Sequence, residues 1–148
     1  MTAAPPLLVA MAGGKPRAGR ARMLVPKEIK LHLAVANLLR AHCLPGWQWT
    51  HINRTAKDAR QGKIFRDMGV NRGWADFELI SPAPLLPHFL EIKRLGEVIE
   101  KGSAQDDFRL WCIRLGCPHE VVWTIDQVLV AFNEWGCLRI EIPLRRGA

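Results

Sequence analysis

The chain has 148 residues, of which 49% are hydrophobic, and its formal net charge is +7 at pH 7. This length suits one domain with a substantial core, and this hydrophobic content excludes an intrinsically disordered protein. The positive charge favours an anionic partner, and nucleic acid is the commonest such partner for a basic domain.

Residues 1–25 are predicted to form a flexible basic arm, because proline and paired glycine are mixed there with positive side chains. The apolar stretch from Leu7 to Ala12 is too short to span a membrane. Its positive charges follow it, which is the reverse of a secretory signal. The arm has two open interpretations, nonspecific phosphate contacts or a solvated tail without a role. We expect no membrane association and a folded domain over residues 26–148.

A first helix is predicted from Pro26 to about His42, because proline suits a first helical turn and Pro45-Gly46 closes the segment. Glu28 falls on the apolar face of this helix, which consists of Leu31, Val35, Leu38 and Leu39. An acid on this face has two interpretations. It complements the positive end of the helix, or its carboxylate points towards a metal site. We favour the second interpretation.

A strand over residues 47–52 and a second helix over residues 55–68 are predicted next. Alternate strand residues share a face, which groups Trp47, Trp49 and His51. One side of the helix is positive, with Arg60, Lys63 and Arg66. Such a side is usually only solvated, but this one directly precedes a glycine-containing turn and Asp76. We therefore predict that it contacts phosphate groups.

The turn from Gly69 to Gly73 has residues that tolerate positive φ, and Arg72 is predicted to lie at the rim of the site that follows. Trp74 either stacks on a base or packs in the core. We favour the core, since a tryptophan beside the start of a strand is usually packing.

Two apolar strands are predicted after the turn, one with Phe77, Leu79 and Ile80 and the other with Phe89, Leu90 and Ile92. Pro82, Pro84 and Pro87 cannot donate to a sheet ladder, so the segment that contains them is predicted to connect the strands.

Acidic and basic residues mark the ends of these two strands. Asp76 precedes the first strand, while Glu91 and Lys93 share one face of the second, with Ile92 on the other face. If the strands pair, these charged side chains converge. Two carboxylates and a lysine are costly to desolvate unless a ligand uses them. A hard divalent cation would do so, because Mg²⁺ binds carboxylate oxygens and keeps waters for chemistry.

A third helix is predicted from Ser103 to Gly116, with Ser103 and Asp106 in a capping pattern and a buried stripe of Ala104, Phe108, Trp111, Cys112 and Leu115. Gln105 falls beside this stripe in the first turn. The remaining elements are a strand at residues 121–124, a helix capped by Asp126, and an edge strand at residues 138–142. This order predicts an α/β fold with a mixed central β-sheet flanked by α-helices.

Cysteine spacing gives little support for a zinc site, because Cys43, Cys112, Cys117 and Cys137 contain no CxxC pair. Cys117-Pro118-His119 lacks a second ligand pair at suitable spacing. We interpret the cysteines as buried or idle thiols in a reducing cytoplasm.

The charged residues resemble a nuclease motif. Asp76 followed by Glu91-Ile92-Lys93 resembles the PD-(D/E)XK nuclease core. The preceding turn from Gly69 to Ala75, Arg94 and the later Ser103-Ala104-Gln105 make a longer string, which is similar to the virus-type replication-repair nuclease (VRR-NUC) domain. The resemblance covers roughly residues 28–136. At Ala75 the family usually has proline, whose loss affects the stiffness of the turn and leaves the chemistry in place.

The resemblance implies a restriction-endonuclease-like core that hydrolyses phosphodiester bonds with Mg²⁺ or Mn²⁺. Asp76 and Glu91 would ligate one or two ions, with the backbone carbonyl of Ile92 as a further ligand. Lys93 would orient or deprotonate the attacking water, or stabilise charge on the phosphate. Two further residues would hold metal-bound waters or support the ligands: Glu28 and Gln105.

DNA is the expected partner, with contacts from Arg60, Lys63, Arg66, Arg72 and Arg94. The resemblance implies branched substrates of the Holliday-junction-resolvase type, or flaps, in replication, repair or recombination. The choice between DNA and RNA stays open. A core of this size needs a second copy to place two symmetric cuts on a four-way junction, which predicts a twofold homodimer. The expected location is the cytoplasm of a bacterial cell or a phage-infected host.

Two other functions compete with the nuclease. A non-catalytic nucleic-acid-binding module on the same fold would bind DNA in a salt-sensitive way without its metal ligands. The intact set of Asp76, Glu91 and Lys93 argues against a decayed enzyme. A helix-turn-helix regulator is disfavoured, because the basic second helix is flanked by predicted strands instead of a close helical partner.

Overall fold

The computed structural model describes residues 27–52 and 55–139, which form an α/β arrangement. A mixed sheet flanked by helices was predicted and is confirmed. The predicted N-terminal arm and most of the predicted last strand lie outside the described residues. The elements in chain order are α1 Lys27–His42, β1 Gln48–His51, α2 Ala59–Asp67, β2 Phe77–Pro82, β3 Leu85–Ile92, α3 Ala104–Leu115, β4 His119–Val122 and α4 Ile125–Trp135.

The sheet has the strand order β1-β2-β3-β4, with antiparallel β1–β2 and β2–β3 pairs and a parallel β3–β4 pair. His51 pairs with Phe77, and Phe77 pairs with Leu90. The end of β1, the start of β2 and the end of β3 therefore lie side by side at one edge of the sheet. The predicted charged residues belong to this edge.

The predicted proline-rich connection is wrong in its extent, because β2 reaches Pro82 and β3 already begins at Leu85. Pro87 lies within β3, opposite Ile80. The backbone N–H of Phe89, two residues later, donates to Pro118 O at the start of β4. The Pro87 nitrogen therefore faces the same side of β3 as Phe89 N. Because β4 begins at His119, opposite Phe89, it does not extend alongside Pro87, and the missing N–H of Pro87 removes no hydrogen bond from the β3–β4 ladder.

The core lies on both faces of the sheet. On one face, α1 and α4 pack on Phe77, Leu79, Leu90 and Ile92 through Val35, Leu39, Val128 and Phe132. On the other face, Phe89 packs with Ala75 and with Phe108 and Cys112 of α3. The predicted α3 stripe is confirmed at Phe108 and Cys112. It is wrong at Ala104, which is exposed, and at Trp111 and Leu115, which are 41% and 59% exposed.

Several element ends differ from prediction, and at two helices the reason is that a different short polar side chain caps the backbone. Thr124, and not Asp126, caps α4, and Gln127 completes a capping box. Asp58 caps α2, which is shorter than predicted and contains no buried residue. β4 begins two residues before the predicted strand. Leu138, the start of the predicted last strand, forms an isolated antiparallel bridge with Cys43.

Candidate active site

Asp76 is fixed at the sheet edge by contacts with both neighbouring strands. Its carbonyl accepts a 2.6 Å hydrogen bond from Ile52 N, which follows β1. Its carboxylate Oδ2 accepts a 2.7 Å hydrogen bond from the backbone N–H of Ile92 at the end of β3. The predicted convergence of Asp76 with the Glu91-Ile92-Lys93 segment is thus present in the structure.

Gln105 joins Glu91 and Lys93 in a closed network. Its Nε2 donates to Glu91 Oε1 at 2.6 Å, and its Oε1 accepts from Lys93 Nζ at 2.6 Å. Lys93 Nζ also lies 3.1 Å from Glu91 Oε1. The amide therefore fixes both charged side chains with complementary atoms. These three predicted site residues are therefore in direct contact with one another.

The start of α3 is held close to the glycine turn, which explains how Gln105 reaches the sheet. Gly73 has φ +82°, and a Cβ on it would overlap Ala104 O. Any other residue at position 73 would push the turn and α3 apart. Ser103 accepts a hydrogen bond from Asp106 N, and Asp106 in turn accepts from Gly102 N and pairs with Arg109. These contacts fix the first turn of the helix.

Burial and like charge make the carboxylates weaker acids than usual. Glu91 is 3% exposed. Burial and the charge of Asp76 raise the pKa of Glu91 to about 7, against the opposing effect of Lys93. Burial also raises the pKa of Asp76, although the Ile92 N–H and two histidines oppose this. Glu28 adds negative charge to both. A bound cation would relieve this repulsion.

Glu28 lies beside this network and is held by other residues. Its Oε2 accepts a 3.1 Å hydrogen bond from Arg94 Nε, and its Oε1 lies 3.9 Å from His32 Nε2. Its predicted role as a supporting acid stays a prediction. Its Arg94 partner had been predicted to contact phosphate instead.

Asp76 borders two cavities. The first, of about 380 Å³, is also lined by Gln105, Trp74 and two of the predicted DNA-contacting residues, Arg66 and Arg72. The second, of about 640 Å³, is lined by Glu28, His32 and His51. The other predicted DNA contacts lie elsewhere: Arg60 is exposed on α2, Lys63 pairs with Asp67 at 2.6 Å, and Arg94 pairs with Glu28.

Comparisons of the chain with protein-family models, with curated protein sequences and with solved structures found no match. The resemblance to virus-type replication-repair nucleases therefore stays a prediction that rests on the residues themselves. Within the described ranges, no helix has the length and apolarity needed to cross a membrane.

Trp74 packs beside the core, as favoured from its sequence position, and its stacking on a base stays a prediction. Its ring lies 4.6 Å from that of Phe108 and 6.1 Å from that of Phe89, so it covers the smaller core cluster. It is nevertheless 39% exposed and lines the first cavity. It packs at the core boundary while leaving surface open to a ligand.

A pair of histidines beside Asp76 was not identified as a site from the sequence. Ligand atoms of His32, His51 and Asp76 all lie within 4.8 Å of one another. Partial desolvation of its ring and the neighbouring His32 lower the pKa of His51. The sequence held one usable signal, since His32 follows Glu28 by one helical turn on α1. The meeting of His32 with His51 depends on how α1 packs against β1.

Proposed function

We propose that this protein is a divalent-metal-dependent nuclease that hydrolyses phosphodiester bonds in DNA through a PD-(D/E)XK site of the VRR-NUC type. The observation that carries this proposal is the network in which Gln105 bridges buried Glu91 and Lys93 next to Asp76. A surface salt-bridge cluster would leave these groups exposed. Here the Glu91 and Lys93 side chains are only 4% and 15% exposed.

The donor atoms fit Mg²⁺ or Mn²⁺. Within the described chain, the hydrogen bonds of the two carboxylates engage Asp76 Oδ2 and Glu91 Oε1. Asp76 Oδ1 and Glu91 Oε2 are then the oxygens left for a cation, and carboxylate oxygen is the donor that hard cations prefer. When bound, the cation makes water a stronger nucleophile and offsets negative charge on the phosphate.

Lys93 is held where it can act on the reacting groups. Contacts with Glu91 and Gln105 restrict its Nζ to the neighbourhood of the carboxylates. From there, Nζ can orient the attacking water and shift its proton, or donate a hydrogen bond to a phosphate oxygen. Burial of the network excludes bulk water, which strengthens both interactions.

The first cavity, beside the network, supports binding of a phosphate backbone. Arg66 and Arg72 line the first cavity together with Asp76 and Gln105. Guanidinium groups bind phosphate through paired hydrogen bonds. A phosphodiester bound in this cavity would lie close to Asp76. Branched or flapped DNA is the substrate class we propose, on the basis of the family resemblance.

The test is cleavage of labelled four-way junction, flap, single-stranded and duplex DNA, with matching RNA substrates, in Mg²⁺, Mn²⁺ or EDTA. We expect metal-dependent cutting that Glu91→Ala and Lys93→Ala abolish. Arg114→Ala and Glu134→Ala, which remove exposed charges from α3 and α4, are the controls and should cut normally. Circular dichroism establishes that each variant is folded.

The outcomes separate nuclease from binding module. DNA binding that is salt-sensitive and survives Glu91→Ala, without cutting in any metal, would replace the nuclease with a non-catalytic nucleic-acid-binding module. If a folded Glu91→Ala variant cut DNA at the unchanged rate, Glu91 would not belong to the active site. Preference among the substrates would distinguish a resolvase from a flap enzyme.

A further inference from the structure

Two imidazoles and one carboxylate meet at the edge of the sheet. His32 Nδ1 lies 2.7 Å from His51 Nε2, and their rings meet edge to face at an angle of 86°. With a carboxylate oxygen of Asp76, the ligand atoms all lie within 4.8 Å of one another. These side chains come from three different elements, α1, the end of β1 and the residue before β2.

Packing fixes the two histidines in this arrangement. His51 pairs with Phe77 in the β1–β2 register, which places it next to Asp76. The Phe77 ring is completely buried, and its centroid lies 4.7 Å from that of His51 and 6.0 Å from that of His32. A rigid apolar ring thus supports both imidazoles, which limits how far they can move apart.

The donor set differs from that of the carboxylate network. Mg²⁺ and Mn²⁺ suit oxygen ligands, whereas imidazole nitrogen suits later first-row metals such as Co²⁺, Ni²⁺ and Zn²⁺. Metal–nitrogen bonds of about 2.0–2.1 Å place two ligand nitrogens roughly 3 Å apart. The present separation of 2.7 Å is a hydrogen-bond distance. The two nitrogens need to separate by only a few tenths of an ångström to bind one ion, and the Asp76 oxygen, within 4.8 Å, has to move closer to complete the site.

The surroundings suit a metal site with open positions. The three residues line the second cavity, of about 640 Å³, and His51 is exposed to solvent. Three protein ligands with room for water or substrate are typical of catalytic metal sites, whereas structural sites are closed by a fourth ligand. The other nitrogen of His32, Nε2, faces Glu28 Oε1 at 3.9 Å. At this distance the contact is electrostatic and is not a hydrogen bond.

We propose that His32, His51 and Asp76 bind a first-row transition-metal cation. This site shares Asp76 with the carboxylate network but includes neither Glu91 nor Lys93. Metal binding to it requires no nuclease activity and can be measured without DNA.

The test is titration of metal-free protein with Co²⁺, followed by visible absorption and by calorimetry. We expect one equivalent to bind with an absorption spectrum of nitrogen and oxygen ligands, and millimolar Mg²⁺ not to displace it. His51→Ala is the main variant, because His51 is exposed and its loss leaves the core intact. It should weaken Co²⁺ binding by more than about tenfold.

Matched controls separate this site from the rest of the chain. His42→Ala removes an imidazole from the last turn of the same helix and should leave Co²⁺ binding unchanged. Glu91→Ala should retain the Co²⁺ spectrum even if it abolishes DNA cleavage. Absence of Co²⁺ binding by the unaltered protein, or equal binding by folded His51→Ala and His32→Gln variants, would overturn the proposal. Failure of cleavage with intact Co²⁺ binding would overturn only the nuclease.

Discussion

Replacing Glu91 with glutamine tests whether the buried carboxylates repel one another in the metal-free protein. Glutamine has almost the same shape and keeps an oxygen that can accept from Gln105 Nε2 and Lys93 Nζ, as Glu91 Oε1 does at 2.6 Å and 3.1 Å. The substitution removes the negative charge beside Asp76. Its effect on the free energy of unfolding therefore reports mainly the cost of that charge.

The expected magnitude follows from the acidity of Glu91. Burial and the charge of Asp76 raise its pKa from 4.5 to about 7. Each pKa unit corresponds to about 1.4 kcal/mol, so ionised Glu91 reduces the stability of the folded protein by about 3 kcal/mol. Because the pKa is raised on folding, the associated stability is fully present below pH 4.5 and is lost as the pH rises through about 7.

Glu91→Gln should therefore stabilise the metal-free protein in a pH-dependent way. Near pH 8 we expect a gain of about 3 kcal/mol, which corresponds to a Tm increase of roughly 10 °C for a protein of this size. Near pH 5 the gain should fall to about 1 kcal/mol or less, because most unaltered Glu91 is then protonated in the folded state.

The assay is thermal unfolding by circular dichroism in EDTA across this pH range. Glu100→Gln, which removes an exposed carboxylate, is the control and should leave the Tm unchanged. Adding Mn²⁺ near pH 8 should raise the Tm of the unaltered protein more than that of Glu91→Gln. A Glu91→Gln variant that melts below the unaltered protein near pH 8, or a difference independent of pH, would refute this reasoning.

Three further predictions concern the glycine turn, Gln105 and assembly. Gly69 and Gly73 both have φ +82°, but of the two only Gly73 would bring a Cβ into a clash, with Ala104 O. In urea unfolding, Gly69→Ala should lower the free energy of unfolding by about 1–2 kcal/mol, and Gly73→Ala should lower it by about 1–3 kcal/mol more. Equal losses would contradict the close approach of Gly73 to Ala104. Gln105→Ala should slow cleavage by about 10–100-fold with an unchanged circular dichroism spectrum. An unchanged cleavage rate would show that Gln105 does not support catalysis. Analytical ultracentrifugation should show a homodimer at micromolar concentration, with the exposed Trp111 as a candidate contact; a monomer would contradict the twofold assembly.

The features that the sequence predicts correctly depend on the local geometry of the chain, such as the alternation of side chains along a strand. Alternation along β3 places Glu91 on the face opposite Ile92, and the structure shows Ile92 in the larger core cluster while Glu91 contacts Gln105. Glycine in the turn predicted positive φ, which Gly69 and Gly73 adopt. Such features follow from neighbours in the chain.

The features that sequence missed depend on contacts between distant segments. Pro87 is tolerated in β3 because β4 begins only opposite Phe89, a fact about sheet register. Arg94 pairs with Glu28 across the fold, so its charge is partly neutralised instead of being free for phosphate. The exposed side of α3 could not be identified, because the helix carries apolar residues around much of its surface and packing selects which of them are buried.

The histidines show how a shared residue limits what a substitution can establish. Asp76 is a ligand in both proposed sites, so loss of cleavage in an Asp76 variant would not tell which site had failed. Glu91 contacts Gln105 and has no place in the histidine cluster, whereas His51 belongs to that cluster and lines the second cavity with Asp76. Substitutions at Glu91 and His51 therefore separate the two sites. If their effects on Co²⁺ binding are additive, the sites act independently, and if they are not, the two sites are coupled, as the shared Asp76 allows.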